Sequence, residues 1–177
     1  IANLETECIH FGIVVGTVAN HSVIDYVVWT ITNDRGQPTM LLCVGHTKGG
    51  VGKTTLAVNI AITRAGEGRK VLLVDGDDQE SAANFTELRD SVPVEPDYTA
   101  AKLTGSAIRT QGQKMAHDYD DVVIDVGGRD TSSLRAALTI SNVLLIPTLP
   151  STFDVWAIQD ITAILNEARI INPDIAA

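Results

Sequence analysis

Residues 41–55 read LLCVGHTKGGVGKTT, and this stretch decides how we expect the rest of the chain to fold. Residues 41–44 form a short apolar run that predicts a buried β-strand. A glycine-rich turn follows, and from Lys53 apolar residues recur at helical spacing. A strand, a glycine loop and a helix in this order build a phosphate-binding loop. The glycines let backbone N–H groups converge on phosphate oxygens, and the helix adds the positive end of its dipole.

The loop also predicts which residues contact a nucleotide. The pattern G-x-x-x-x-G-K-[ST] is met at its end by GKT (residues 52–54), but Thr47 stands where the first glycine is usual. In this pattern the lysine reaches the β- and γ-phosphates and the hydroxyl that follows it ligates Mg²⁺. We expect the nucleotide to lie against the whole loop, which comprises Lys48, Gly49, Gly50, Val51, Gly52, Lys53, Thr54 and Thr55.

Residues 48–54, KGGVGKT, resemble the deviant Walker A motif K-G-G-x-G-K-[ST] of the ParA/MinD family of P-loop ATPases. The resemblance implies that the nucleotide is ATP and that the chain forms a homodimer when ATP is bound. It also implies that the extra lysine, Lys48, reaches the phosphates of a nucleotide held by the partner subunit. A glycine-rich turn with two surface lysines is the plain alternative, and the strand and helix on either side argue against it.

A second motif follows the next apolar strand, residues 71–75. The run DGDDQ (residues 75–79) lies where a parallel sheet binds ligands. It resembles the family motif D-x-D-x-Q, with Asp75, Asp77 and Gln79 matching. The resemblance implies that Asp75 supports the Mg²⁺ shell and that Asp77 helps to position the attacking water. Taken alone, the residues equally allow an acidic turn that caps the next helix.

A third apolar strand, which reaches Asp125, has the Walker B arrangement, in which the carboxylate holds Mg²⁺ through water. Any buried strand can end in aspartate, so this signal gains weight as the third motif in order. Gly127 and Gly128 come next, and we expect them to let this loop change conformation when a γ-phosphate arrives.

The alternation of apolar strands and helical patterns predicts an α/β fold, a three-layer P-loop NTPase with a mostly parallel sheet. Further strands are expected at residues 98–103 and 143–146. Further helices are expected at 81–88, 106–117, 131–139 and 151–171, the last of them stopped by Pro173.

Composition narrows the class of protein. The chain has 177 residues, 45% apolar and 20% charged, which suits one globular domain. It has no apolar run long enough to cross a membrane, and its net charge of −9 argues against a chain that binds nucleic acid by overall charge. Cys8 and Cys43 are far apart and are expected to be reduced core thiols, which favours a cytoplasmic location.

Residues 1–39 differ from the rest, and Met40 stands where a ParA-type protein would begin. The strand-like composition of residues 23–32 allows a hairpin that pairs with the main sheet. We favour the other interpretation, an extension upstream of the native start, and take residues 40–177 as the ATPase domain. Because family domains continue further, we expect a fold that is incomplete at its C-terminus and that leaves an edge strand exposed.

Together the motifs favour a ParA-like ATPase that hydrolyses ATP slowly with Mg²⁺ in plasmid or chromosome partition. Its expected partners are a ParB-like centromere-binding adaptor and non-specific DNA, the DNA bound through regions beyond Ala177, and no membrane. A MinD-type division-site ATPase and a nucleotide-dependent binding module without useful turnover stay open. The expected catalytic residues are Lys48, Lys53 and Asp77, and the expected metal-site residues are Thr54, Asp75 and Asp125.

Overall fold

The computed structural model describes residues 10–18, 22–30, 40–128, 131–148 and 152–177. Within these ranges the elements, in chain order, are β1 (His10–Val18), β2 (Ser22–Thr30), β3 (Met40–Val44), α1 (Lys53–Gly66), β4 (Val71–Gly76), α2 (Ser81–Asp90), β5 (Thr99–Lys102), a π-helical turn (Ile108–Gly112) that runs into α3 (Gln113–Ala116), β6 (Asp121–Val126), α4 (Thr131–Leu138), β7 (Val143–Leu145) and α5 (Thr152–Ala168).

Five strands form one sheet in the order β5-β4-β6-β3-β7, and every pairing in it is parallel. The strands β3 and β4 follow each other along the chain but are separated in the sheet by β6. The loops after β3, β4 and β6 therefore meet at one edge, where parallel sheets bind ligands. This arrangement confirms the predicted α/β P-loop fold.

Helices cover both faces of the sheet, as the residues of β4 show. Val71 and Leu73 belong to a core shared with α1, whereas Leu72 and Val74 belong to a core shared with α4 and α5. All four side chains are buried. Alternate residues of a strand point to opposite faces, so a strand covered on both sides has to be apolar throughout. The apolar runs seen in the sequence therefore mark the middle layer of three.

The strands β1 and β2 pair with each other in antiparallel register and form a two-stranded sheet of their own. The described strands of this region thus form a hairpin, but among the described residues they pair with each other and not with an edge of the main sheet. The boundary at residue 40 and the extension upstream of it stay predictions. Cys43 is buried as expected, and Cys8 lies outside the described residues.

The helical region 106–117 contains a π-helical turn, which its spacing of apolar residues does not predict. The helix α5 ends at Ala168, three residues before the predicted 171. The backbone N–H of Asn172 donates to Ala168 O (2.8 Å), and its side-chain amide donates to Leu138 O (2.9 Å) and Ser141 O (2.7 Å). Contacts with the end of α4 thus fix the chain before Pro173 is reached.

The outer edge of β7 is partly covered by the last residues of the chain. Ala176 forms a parallel bridge with Val143, its carbonyl accepts the N–H of Leu144 (2.8 Å), and its own N–H donates to Asn142 O (3.0 Å). Ile175 is buried beside this bridge. The expectation that this edge is left open is therefore wrong along this part of β7.

Candidate nucleotide-binding site

The loop between β3 and α1 has the backbone that a phosphate-binding loop needs. Gly50 (φ 75°) and Gly52 (φ 88°) are left-handed, a conformation that favours glycine. A Cβ on Gly49, Gly50 or Gly52 would meet no atom of the described residues within 4 Å, so the loop borders space that they leave open. The bond from Leu56 N–H to Gly52 O (2.9 Å) starts α1, and the amides before it have no partner within the helix. The loop therefore offers room and N–H donors to an anion.

The two lysines of the loop are joined through the backbone. Lys53 is buried, and its ammonium donates to the carbonyl of Lys48 at 2.9 Å. Burial lowers the pKa of Lys53, while the nearby carboxylates of Asp125 and Asp77 act in the opposite direction. The structure thus places the Lys53 ammonium against the backbone of the loop and near the carboxylates of Asp77 and Asp125.

His46 is a residue of this site that the sequence analysis passed over. It is fully buried at the end of β3, and its Nδ1 accepts the N–H of Lys48 at 3.0 Å. The bond joins a side chain to the N–H two residues ahead, as in an Asx turn. The position of the histidine, two residues before the first lysine, is therefore the sequence feature that could have predicted it. The ring helps to fix the backbone where the loop begins.

Asp125, near the end of β6, is buried and lacks the partners that a buried carboxylate usually has. It is 1% exposed, and neither carboxylate oxygen makes a hydrogen bond of normal geometry among the described residues. Burial raises its pKa to about 7; the Thr54 hydroxyl and the Lys53 ammonium lower it, and Asp75 and Asp77 raise it. A buried, unsatisfied carboxylate is costly, which points to a missing cationic partner.

Asp75 and Asp77 differ in how they are held. The register of the sheet places Asp75 beside Asp125. Its carboxylate accepts the N–H groups of Asp77 (3.1 Å) and Ala83 (2.8 Å), so it caps the start of α2. Burial raises the pKa of Asp75. Asp77 is half-buried and accepts the N–H of Gln79 at 3.0 Å. The capping role of this turn is therefore present, and the metal and water roles stay predictions.

These observations fit a magnesium nucleotide. Mg²⁺ prefers oxygen ligands, and it commonly takes one or two from protein and the others from phosphates and water. The Thr54 hydroxyl and the unsatisfied oxygens of Asp125 are the groups that would hold it. No cluster of three or more His, Cys, Asp or Glu with metal-binding geometry occurs among residues that the structure describes. A magnesium site here would thus depend on the phosphates.

The structure brings all the predicted site residues to the same edge of the sheet. Within the loop the side chain of Val51 is buried, whereas Thr55 is exposed on the first turn of α1. Gly127 and Gly128 lie close to two other parts of the site, because a Cβ added to Gly127 would come within 2.9 Å of Asp77 and one added to Gly128 within 2.8 Å of the backbone of Lys48. The change of loop conformation expected of these glycines stays a prediction. None of the described helices combines the length and the apolar character that crossing a bilayer requires.

Comparisons with known proteins agree with this geometry. Residues 39–103 match a family described as AAA domain. The chain is 33% identical over 144 residues to maintenance of carboxysome distribution protein A of Halothiobacillus neapolitanus, a match that covers 77% of this chain and 62% of the relative. It is 27% identical over 182 residues to the chromosome partitioning protein ParA of Myxococcus xanthus, with 80% and 64% covered. The chain thus spans less than two thirds of the length of these relatives.

Solved structures share the fold. A variant of McdA from Cyanothece in complex with ATP superposes with a TM-score of 0.64 at 17% identity, over 76% of this chain and 66% of that one. Cobyrinic acid a,c-diamide synthase of Mycobacterium smegmatis, with a bound ATP analogue and magnesium, gives 0.63 at 23% identity, over 76% and 70%. At these identities the likeness concerns the fold, which proteins of different function share. The resemblance predicted from the loop is therefore confirmed: the chain is similar in sequence to ParA proteins, and it shares the fold of these solved structures.

Proposed function

We propose that this domain binds ATP with Mg²⁺, hydrolyses it slowly, and works as an ATP-dependent dimer in the partition of a plasmid or chromosome. The observation that carries this proposal is the buried carboxylate of Asp125, which makes no hydrogen bond of normal geometry among the described residues, although the Thr54 hydroxyl is near enough to lower its pKa. It lies close to Lys53 of a loop whose glycines border space that no described residue fills. An oxygen-ligated cation and a phosphate chain would satisfy both features at once.

Each residue has a role that follows from its position. The amides of the loop and the Lys53 ammonium bind the phosphate oxygens, and Thr54 and Asp125 hold the metal side of the nucleotide. When bound, Mg²⁺ would offset the negative charge of the phosphates. Asp77 lies near Lys53, where its carboxylate can orient a water for attack on the γ-phosphate. Asp75 fixes this arrangement by capping α2, and it also borders the metal side.

Lys53→Ala tests nucleotide binding most directly. A charge-assisted bond is worth roughly 1.5–3 kcal/mol, so the affinity for MgATP should fall by about 10- to 100-fold in calorimetry. Lys114→Ala is the matched control, because Lys114 is exposed on α3, outside the loop. Equal affinity of the Lys53→Ala variant and the unchanged chain would refute the P-loop function.

Asp77→Ala separates binding from turnover. We expect MgATP to bind with nearly unchanged affinity while the rate of hydrolysis falls, because the residue is assigned to water and not to the phosphates. Phosphate release and calorimetry measure the two quantities. A parallel loss of both would move Asp77 into the metal site.

Dimerisation is proposed to depend on Lys48, a half-buried residue at the start of the loop whose own carbonyl accepts the hydrogen bond from Lys53. If its ammonium reaches a nucleotide on the partner subunit, Lys48→Ala should bind ATP as a monomer but fail to dimerise with a slowly hydrolysed analogue. Sedimentation velocity with the analogue measures this. Normal dimerisation of the variant would remove the partition-type mechanism.

Two candidates stand for the cargo that the domain would move: a plasmid or chromosome, and a protein body. The similarity to a carboxysome distribution protein favours the positioning of a protein body as an alternative to DNA partition. For partition, the partners proposed are a ParB-like adaptor and non-specific DNA, in the cytoplasm. ATP turnover stimulated by DNA together with such an adaptor would support partition. Turnover that DNA and adaptor both leave unchanged would favour the positioning role or a binding module without useful turnover.

A further inference from the structure

The glycines that follow β6, Gly127 and Gly128, lie where an added side chain would collide with other parts of the site. Neither has φ in the left-handed region, so the backbone conformation does not demand glycine. A Cβ on Gly127 would lie 2.9 Å from both Cγ and Oδ1 of Asp77. A Cβ on Gly128 would lie 2.8 Å from the carbonyl carbon and oxygen of Lys48 and 2.9 Å from the nitrogen of Gly49. All of these separations are well below van der Waals contact, so an added Cβ would force the neighbouring atoms to move.

The site therefore contains two kinds of glycine. Those of the loop, at positions 49, 50 and 52, border space that is empty of atoms from the described part of the chain, and those after β6 border other parts of the site. The first kind leaves room for a ligand. The second kind lets three segments that are distant in sequence come into direct contact. The segments are the end of β6, the acidic turn after β4 and the first residues of the phosphate-binding loop.

We propose that Gly127 and Gly128, at the end of β6, are positioning residues. They fix the positions of the acidic turn after β4 and of the first residues of the phosphate-binding loop. This inference rests on the proposed ATPase function and adds to it. Gly127 fixes where the carboxylate of Asp77 lies, and Gly128 fixes the backbone of residues 48–49. The two contacts differ in stiffness, because the end of a side chain can rotate away whereas a loop backbone cannot. An added methyl group should therefore move Asp77 alone at position 127, and the loop itself at position 128.

The first experiment is a double-mutant cycle with Gly127→Ala and Asp77→Ala. Alone, Gly127→Ala should slow ATP hydrolysis at least about tenfold and keep MgATP affinity within about twofold of the unchanged chain. In the Asp77→Ala background it should cause no further loss, because the side chain that it displaces is gone. If the double variant instead shows the product of the two single losses of hydrolysis rate, the proposal would be overturned. Gly66→Ala, at the end of α1, is the control, since its added Cβ would lie 3.6 Å from Pro96, which is an ordinary contact.

The same cycle has a readout that does not need turnover. Displacing Asp77 breaks the bond from Gln79 N–H to its Oδ1, so Gly127→Ala should lower the melting temperature only when Asp77 is present. An equal loss of melting temperature in both backgrounds would contradict the contact. An unchanged chain that neither binds nor hydrolyses MgATP would refute the proposed function, and the melting cycle would still decide whether Gly127 positions Asp77.

The second experiment uses Gly128→Ala, whose Cβ meets the loop backbone. We expect its affinity for MgATP, measured by calorimetry, to fall at least about tenfold, because the amides of residues 48–49 are displaced from their phosphate-binding geometry. Affinity within about twofold of the unchanged chain would overturn the proposal for this residue. If Gly128→Ala does not fold, the Gly127 cycle decides the proposal.

Discussion

Strand β6 carries one buried aspartate near each end, and the two are held in opposite ways. Asp121 is fully buried, and its Oδ2 accepts hydrogen bonds from Arg64 Nε (2.7 Å) and Arg69 Nε (3.3 Å). Asp125 is equally buried, but neither of its oxygens has a hydrogen bond of normal geometry among the described residues. Only three residues of one strand thus separate a satisfied carboxylate from one without hydrogen bonds of normal geometry.

The difference shows which end of the sheet serves stability and which serves binding. At the start of β6, two arginines neutralise the carboxylate and tie the end of α1 to the sheet. At the other end, the carboxylate is kept with a pKa of about 7, at a cost to the stability of the protein without ligand. Such a cost is common where a ligand supplies the missing partner.

The largest expected effect comes from removing the satisfied carboxylate. Asp121→Ala would leave two arginines at the base of the sheet without their buried partner, which should lower the free energy of unfolding by about 3–5 kcal/mol. Urea denaturation measures it. Glu67→Ala is the matched control, because Glu67 is the exposed partner of the same Arg64 and should cost about 0–1 kcal/mol. If both variants cost the same, Asp121 is not the centre of this ion-pair cluster.

Asp125→Asn should raise the free energy of unfolding of the protein without nucleotide, whereas Asp121→Ala should lower it. The folded protein holds the proton of Asp125 up to about pH 7, whereas the unfolded chain releases it near 3.8. Between these values the folded state binds more protons, so this group makes stability fall as pH rises. Above pH 7 the variant without nucleotide should be more stable, on the order of 1–3 kcal/mol, and should lack this slope.

The same variant should lose the benefit of the metal. MgATP should raise the melting temperature of Asp125→Asn much less than that of the unchanged chain, because one of the two groups assigned to the metal is gone. Melting curves at pH 5.5 and 8, each with and without MgATP, separate the two effects. An Asp125→Asn protein that is less stable than the unchanged chain at pH 8 would contradict this account of the carboxylate.

A smaller effect is expected at His46, at the binding end of the sheet. His46→Leu removes the acceptor of the Lys48 N–H and should cost about 1–2 kcal/mol, together with some affinity for MgATP. His46→Asn should restore much of both, because an Asn side chain can accept an N–H two residues ahead. Urea denaturation and calorimetry test the pair, and equal losses in both variants would show that packing, not the hydrogen bond, is what His46 provides.

The smallest effect is expected from removing residues 1–39. The described strands of that region, β1 and β2, pair with each other and form no pairing in the five-stranded sheet, so neither end of β6 depends on them for its hydrogen bonds. A chain that begins at Met40 should melt within a few degrees of the longer one and bind MgATP equally well. A large loss of stability would show that residues before Met40 support the core.

The sequence by itself determined the local parts of this protein. The strand, glycine loop and helix around Lys53 could be predicted because they are adjacent in the chain, and the apolar runs of β4 and β6 predicted strands covered on both faces. The aspartates at the ends of those strands could be predicted as site residues because parallel strands end at one edge. These signals need only spacing and composition.

Only the tertiary structure decided which neighbours those residues meet. The place of β6 between β3 and β4 brings Gly127 to Asp77 and Gly128 to the phosphate-binding loop, although the partners lie about 50 to 80 residues apart in the sequence. The same packing gives Asp121 its arginines, leaves Asp125 without a hydrogen bond of normal geometry among the described residues, and ends α5 at Ala168. Spacing along the chain reports which face a residue occupies, whereas the order of strands in the sheet decides what that face touches.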